Sequence, residues 1–107
     1  MHAEYDTLCP EGAVKEVMIV TGTSAPLKLV FDANDLFLMQ ASRVGYSTLP
    51  QAVKDSVTAN YVTFQVSGKA EKLTLADNAV QYFVYLRLNN DRLKLRMTET
   101  GIMVCVQ

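Results

Sequence analysis

The sequence predicts an α+β fold in which one amphipathic helix packs on a strongly twisted antiparallel β-meander sheet. Two observations support this prediction. The segment from Tyr46 to Tyr61 is the only one with helical periodicity. On both sides of it lie short segments rich in β-branched and aromatic residues, separated by Asn, Asp and Gly, which is typical of antiparallel strands. A helix with only one apolar side needs a sheet to cover that side, so helix and sheet should share a core.

The predicted helix has a start signal and an apolar stripe. Thr48 is the expected N-cap, with Gln51 as its capping-box partner and Pro50 in the first turn, where a missing N–H has no cost. The opposite side is polar, so only the stripe should be buried. Its members are Leu49, Ala52, Val53, Ser56, Val57 and Tyr61.

The remaining chain predicts a loop over residues 1–13, followed by a series of strands. Most strand boundaries are set by Gly, Asn or Asp. The segment Asp32 to Asp35 resembles the first half of a calcium loop, but no Glu follows to complete it, so a turn held by Asp and Asn side chains is favoured. The predicted strands cover residues 14–21, 27–32, 36–44, 64–66, 69–77, 80–88, 92–98 and 102–106.

An internal repeat supports a single domain over residues 1–107. Residues 27–39 align without gaps on residues 93–105, at an offset of 66, and the same offset places Val14 on Val80. The sequence therefore predicts a partial repeat of three strands over residues 14–44. A full repeat, with the helix and four strands, is predicted over residues 48–107. Chance similarity between two amphipathic hairpins is the alternative.

Composition excludes several classes of function. The formal net charge of −1 gives no electrostatic case for nucleic acid as a partner. The apolar runs are of strand length and are interrupted by charges, so membrane insertion is not expected. No signal peptide is visible, which fits a cytosolic protein or a domain separated from its targeting segment. Cys9 and Cys105 could form one bridge between the ends of the chain, but spacing alone cannot establish a disulfide, so two unconnected thiols, one buried and one exposed, are favoured.

The hairpin of residues 80–98 carries the candidate functional residues. With Asn90 and Asp91 as a two-residue turn, Leu86 faces Leu95 and the apolar side chains all fall on the side that packs on the helix. The other side combines aromatic and cationic residues, which are enriched in protein-binding hot spots but also decorate ordinary solvent-exposed sheets. This candidate protein-binding face consists of Phe83, Tyr85, Arg87, Lys94 and Arg96.

No pattern of catalytic, cofactor-binding or metal-ligating residues accompanies this face. The single histidine, His2, lies in the expected N-terminal loop, which makes a Ser–His or Cys–His pair improbable. Cys and His residues do not have zinc-site spacing, and there is no glycine-rich phosphate loop. The sequence therefore predicts a non-enzymatic protein without a cofactor.

Short motifs resemble those of the PepSY-like domains of Bacteroidetes, a family also described as similar to the β-lactamase inhibitor protein (BLIP). Leu49-Pro50 followed by Val53, Val57 and Tyr61 resembles the opening helix of that family. Further similarities lie in residues 70–72, 82–86, 90 and 93–101, and in residues 30–32 of the first repeat. The resemblance implies a secreted or periplasmic module that binds or inhibits another protein. It transfers no catalytic residue.

Three hypotheses about function follow. The first is a protein-binding or inhibitor-like module with an unknown partner, as the resemblance implies. The second is a homodimer formed through strand edges, because both sides of the last predicted strand are apolar. The third is a small-molecule pocket between the sheet and the helix of a cone-shaped fold.

Overall fold

The computed structural model describes residues 2–20, 22 and 26–107. It has one α-helix and eight strands within these residues, and a short 3₁₀ helix, Tyr46–Thr48, precedes the α-helix. The elements in chain order are β1 (His2–Leu8), β2 (Gly12–Ile19), β3 (Leu27–Asp32), β4 (Phe37–Gly45), α1 (Gln51–Asn60), β5 (Gln65–Leu75), β6 (Val80–Leu88), β7 (Asp91–Thr98) and β8 (Met103–Val106).

All eight strands belong to one antiparallel sheet, in which each strand pairs with its neighbours in sequence. The helix α1 occupies the connection between β4 and β5. The predicted fold class, α+β with one helix on an antiparallel meander, is confirmed.

The prediction of a loop over residues 1–13 is wrong. Residues 2–8 form β1, which pairs with β2 from His2 opposite Met18 to Leu8 opposite Gly12. The side chains of residues 3–7 are exposed. An edge strand with little burial needs no apolar alternation, so periodicity could not reveal it.

The predicted capping box is also wrong. Leu49 precedes a proline and is extended, with φ −69° and ψ 156°, so α1 begins only after Pro50 and Thr48 lies too early to cap it. The Thr48 hydroxyl instead donates a hydrogen bond to the Gly45 carbonyl at 2.6 Å. The Gln51 side-chain amide donates to the Asp55 carboxylate at 2.8 Å.

The β6–β7 hairpin turns at Asn89-Asn90, one residue earlier than predicted. Leu86 therefore lies opposite Leu93, where Leu95 was expected. Because the register differs by two residues, an even number, every side chain stays on its predicted side of the sheet.

Strand β5 joins two predicted strands into one. Val66 pairs with Leu86 and Ala70 with Val84, so residues 67–69 form a bulge opposite the single residue Tyr85. The Ser67-Gly68 dipeptide had suggested a break between strands, but a bulge accommodates it without ending the strand.

Two apolar clusters lie on opposite sides of the sheet. The first packs α1 against β5–β8, and we call this side of the sheet the convex face. The second draws its members from β1 to β6 and lies on what we call the concave face. The buried residues of the first cluster are Leu49, Val53, Val57, Ala70, Tyr82, Val84, Leu86, Leu95 and Met97; those of the second are Leu8, Val14, Val30, Met39, Ala41, Leu73 and Phe83.

The second cluster requires the sheet to curl. Leu8 of β1 and Phe83 of β6 belong to it although four strands separate β1 from β6, and neighbouring strands lie about 4.8 Å apart in a flat sheet. A disulfide between Cys9 and Cys105 holds the curl at the sheet's two ends, with the Cα atoms 6.0 Å apart. The prediction of two unconnected thiols is wrong, because β1 brings Cys9 to β8.

The two halves of the sheet repeat one irregularity. The pairing of β3 with β4 shifts between Val30 and Phe31, and the pairing of β7 with β8 shifts between Arg96 and Met97, 66 positions later. The turn that follows each shift is also the same: Asp32 N–H donates to the Leu36 carbonyl and Thr98 N–H to the Ile102 carbonyl, both at 2.9 Å. An offset of 66 residues therefore relates the β3–β4 hairpin to the β7–β8 hairpin.

The first hairpin of each half follows a different offset. Val14 pairs with Asp32, and Gln81 pairs with Thr98, the counterpart of Asp32. Gln81, rather than the predicted Val80, therefore corresponds to Val14, and the offset is 67. The offset of 67 relates β1 to residues 69–75, the part of β5 after its bulge. Each half of the sheet therefore contains four strands, whereas the predicted partial repeat contained three.

Candidate functional site

The structure places the five predicted protein-binding residues together on the concave face, but it exposes them unequally. Phe83 and Arg96 are buried, with 4% and 3% of their surface exposed. Tyr85 and Lys94 are partly buried, and Arg87 is exposed. Within the folded chain only the last three can meet a partner. That the set binds a protein stays a prediction.

Arg96 is buried because the curl of the sheet covers it. Its guanidinium donates to the Gln81 side chain at 2.7 Å and to the Cys9 carbonyl at 3.0 Å, and it forms an ion pair with Glu11. These contacts connect β6 and β7 to the turn between β1 and β2. The same turn covers the concave side of β8 at Cys105, through the disulfide with Cys9.

Lys94 lies over the ring of Phe83, with its ammonium nitrogen 4.0 Å from the ring centroid. The ring of Tyr85 is 5.9 Å from the same nitrogen. Burial lowers the pKa of Lys94 below its ordinary value, although Glu71 acts in the opposite direction. The ammonium group therefore relies on aromatic rings and a more distant carboxylate to offset its loss of water.

A charge cluster lies beside Lys94 at the middle of the concave face. Lys28 on β3 lies between Glu16 on β2, at 3.5 Å, and Glu71 on β5, at 3.4 Å. Tyr85 on β6 donates its hydroxyl hydrogen to the Glu71 carboxylate. We call Glu16, Lys28, Glu71 and Tyr85 the central charge cluster. It joins both halves of the sheet across the curl.

The central charge cluster shifts the pKa of two of its members. Burial disfavours the charged form of Lys28, but Glu71 and Glu16 outweigh this and raise its pKa above the ordinary value. The pKa of Tyr85 is raised strongly, first by burial and then by its hydrogen bond to Glu71. Both groups are therefore fixed in their protonated forms at neutral pH.

A cleft of about 430 Å³ opens at the β5 bulge, next to the central charge cluster. Arg87 and Arg92 lie directly opposite each other on β6 and β7, and Gln65 on β5 continues this row. Both arginines are exposed, and among the described residues neither forms an ion pair within 4.0 Å. We call this site the arginine cleft. It is lined by Gln65, Val66, Ser67, Tyr85, Leu86, Arg87, Arg92 and Leu93.

A second cleft, of about 290 Å³, lies on the other side of Tyr85. Met18 and Ala41 line it together with the exposed cations Arg43 and Lys69. Tyr85 and Glu71 line it as well. Tyr85 therefore separates two open depressions of the concave face, each bordered by exposed positive charge.

Sequence analysis missed Arg92 and the central charge cluster. Arg92 was overlooked because the predicted register placed it beside the turn, opposite Asn89, and not opposite Arg87. The alternation of β7 was a signal for it, since Arg92, Lys94 and Arg96 share one side of the strand. No local signal could reveal that Lys28 meets Glu71, because 43 residues separate them.

The clefts described above are lined by strands and turns, and no residue of α1 lines them. The predicted small-molecule pocket between helix and sheet is not favoured. The predicted strand-edge homodimer stays a prediction. In the described part of the chain, no helix is long and apolar enough to cross a membrane, and no three His, Cys, Asp or Glu side chains are grouped as metal ligands.

Comparison with solved structures shows the same fold in proteins of Bacteroides. A DUF2874 family protein from Bacteroides uniformis is 16% identical, with a TM-score of 0.66 over 98% of this chain and 75% of its own. A second from Bacteroides ovatus is 10% identical, with a TM-score of 0.63 over 98% of this chain and 74% of its own. A BLIP-like protein from Bacteroides fragilis is 16% identical, with a TM-score of 0.64 over all of this chain and 74% of its own.

No family model matches the chain, and no curated protein matches it. The three solved structures confirm the predicted resemblance at the level of a BLIP-like fold found in Bacteroides. The PepSY-like part of the prediction is not shown. At these identities the comparison establishes the fold and no activity.

Proposed function

We propose that this domain is a non-enzymatic binding module that holds an acidic segment of another protein on its concave face, at the arginine cleft. The observation that carries the proposal is the exposed pair Arg87 and Arg92. Like charges directly opposite each other across two strands destabilise a sheet, and no acidic side chain among the described residues pairs with either one. A carboxylate from outside the domain would offset this repulsion with bidentate hydrogen bonds.

The lining of the arginine cleft suits an acidic, polar peptide. Gln65 and Ser67 provide neutral hydrogen-bonding groups and Tyr85 lines the cleft beside Arg87, whereas the side chains of Leu86 and Leu93 pack with the helix cluster on the opposite face. The central charge cluster and the Cys9–Cys105 disulfide hold the surrounding strands in place. Such a pre-ordered surface loses little conformational entropy when it binds.

The disulfide also supports a periplasmic or secreted location, because disulfides persist in oxidising compartments and are rare in the cytosol. The fold shared with the BLIP-like protein from Bacteroides fragilis supports protein binding as the general role.

The proposal is tested by charge reversal on the two sides of the sheet. Periplasmic proteins of the source organism are passed over immobilised wild-type domain, and any captured protein is identified, purified and titrated against the variants. R87E/R92E should abolish binding. The matched control K72E reverses an exposed cation of β5 that lies on the other side of the sheet and should retain it. Wild-type affinity should fall as salt increases. Equal loss in K72E, or full binding by R87E/R92E, would refute the proposal.

A further inference from the structure

Within the described residues, α1 covers the convex face of β5–β8, and no helix covers the convex face of β2–β4. In the second half of the sheet, Val53 and Val57 of α1 pack against side chains of β6 and β7. The side chains that form this cluster are buried. In the first half, no helix of the described residues lies on the corresponding surface. Its side chains are nevertheless apolar.

The repeat identifies these side chains position by position. The offsets of 66 and 67 established by strand pairing relate each residue beneath α1 to one in the first half. The residues beneath α1 are at most 3% exposed, whereas their counterparts are all partly exposed. The pairs are Val84 with Val17, Leu86 with Ile19, Leu95 with Leu29, and Met97 with Phe31.

The margin of this surface follows the same correspondence. Met103, which packs at the edge of the helix cluster, corresponds to Phe37, which is 38% exposed and lies edge-on to Phe31 with ring centroids 5.8 Å apart. Val17, Ile19, Leu29 and Phe31 line a depression of about 290 Å³. A contiguous apolar surface of this kind marks an interaction site more often than an ordinary solvent-facing sheet.

We infer that the convex face of β2–β4 is a docking surface for an amphipathic α-helix from outside residues 1–107, one with an apolar stripe like that of α1. The occupant follows from the repeat: the same backbone and equivalent apolar positions already hold a helix 66 or 67 residues later. One position differs, because Lys15 stands where Tyr82 stands in the second half. Lys15 forms an ion pair with Asp35 at 2.6 Å, and its ammonium nitrogen lies over the Phe31 ring, 5.9 Å from the centroid, so it covers the Phe31 end of the depression.

A chimera tests the fit directly. His2 corresponds to Lys69, so a second copy of residues 45–68, fused directly ahead of His2, places a copy of α1 at the equivalent position. If the surface accepts a helix, the melting temperature should rise by about 5 °C or more, and the amides of β2 and β3 should gain hydrogen-exchange protection. The matched control carries Val53→Asp and Val57→Asp in the added copy only, and it should lose both effects.

Two results would overturn the inference. One is an equal melting temperature for the chimera and its Asp-substituted control, since the added helix would then make no apolar contact. The other is a dimer of the unmodified chain, measured by sedimentation velocity, that Leu29→Lys converts into a monomer with an unchanged circular dichroism spectrum. In that case a second copy, and not a helix, would be the occupant. Neither result bears on the arginine cleft, which lies on the opposite face.

Discussion

The disulfide between Cys9 and Cys105 joins the turn after the first strand to the last strand, across a separation of 96 residues. The Gln107 side chain adds to this connection, because it accepts a hydrogen bond from Cys9 N–H at 3.3 Å and donates one to the Thr7 carbonyl at 3.0 Å. The two ends of the sheet are therefore held together covalently and by hydrogen bonds. The curl that forms the concave face depends on this closure.

We expect reduction of the disulfide to lower the free energy of unfolding by on the order of 4 kcal/mol, because the bond closes a loop of almost the whole chain. Urea unfolding of the wild type with and without reductant measures this loss. C9S/C105S should unfold at the same urea concentration as the reduced wild type and should not respond to reductant. A stability that is insensitive to reductant in the wild type would contradict the expected role of the bond.

Gly101 provides a second constraint, between α1 and the β7–β8 turn. It has φ +85°, and a Cβ at this position would lie 2.5 Å from the carbonyl oxygen of Ala52 in α1. Gly101→Ala should therefore lower the free energy of unfolding by about 2–4 kcal/mol, through both the positive φ and the overlap with the helix. Chemical denaturation measures the difference.

Gly12 offers a matched control for that substitution. Its φ is +86°, but a Cβ there would meet nothing within 4 Å. Gly12→Ala should lower the free energy of unfolding by only about 1 kcal/mol, the cost of the backbone conformation alone. Equal losses in the two variants would mean that the contact with Ala52 contributes nothing.

The fold was predictable where burial imposes a pattern. The boundaries of β3 and β6 match the predicted segments, because both strands consist mainly of apolar and aromatic residues and are followed by Asn-containing turns. Strand β1 was not predictable, since exposed residues on both of its sides leave no alternation to detect. The hairpin register was displaced by two residues because Asn89-Asn90 and Asn90-Asp91 are equally suitable turns.

The composition of the candidate site was predictable, but its exposure was not. The side of the hairpin that carries Phe83, Tyr85 and Lys94 follows from strand alternation alone. Burial of Phe83 and Arg96 depends on the curl of the whole sheet and on Glu11, which lies 85 residues from Arg96. Contacts over such distances in sequence leave no local pattern, so the predicted face could not be divided into structural and accessible residues.

Substitution of Arg96 should lower the free energy of unfolding and substitution of Arg87 should leave it nearly unchanged, although both residues belong to the predicted protein-binding face. Arg96→Ala removes a buried guanidinium and leaves Glu11, Gln81 and the Cys9 carbonyl without their partner. It should lower the free energy of unfolding by about 2–4 kcal/mol. Arg87→Ala removes an exposed side chain and should change it by no more than about 0.5 kcal/mol.

Thermal and urea unfolding of both arginine variants give the comparison, with the wild type measured beside them. The two substitutions delete the same side chain from the same hairpin, so the difference between them reports the burial of Arg96 together with its contacts to Glu11, Gln81 and Cys9. If both variants kept the stability of the wild type, Arg96 would be a surface residue and the curl of the sheet would be looser than the structure indicates.

The hydrogen bond from Tyr85 to Glu71 predicts a pH dependence of stability at alkaline pH. The pKa of Tyr85 in the folded chain is raised above the value of 10.0 expected in the unfolded chain. Above pH 10 the unfolded chain therefore releases this proton while the folded chain retains it, and the free energy of unfolding falls as pH rises. One such group contributes a slope of up to about 1.4 kcal/mol per pH unit.

Tyr85→Phe removes this contribution, so its free energy of unfolding should fall less steeply than that of the wild type between pH 10 and pH 11. Urea unfolding at intervals of 0.25 pH unit measures both slopes. Tyr5→Phe is the matched control, because the Tyr5 side chain is 83% exposed on β1, and it should follow the wild type. Identical slopes for Tyr85→Phe and the wild type would show that the Tyr85 hydroxyl is as accessible to ionisation in the folded chain as in the unfolded one. The hydrogen bond from Tyr85 to Glu71 would then not hold the Tyr85 proton in the folded chain.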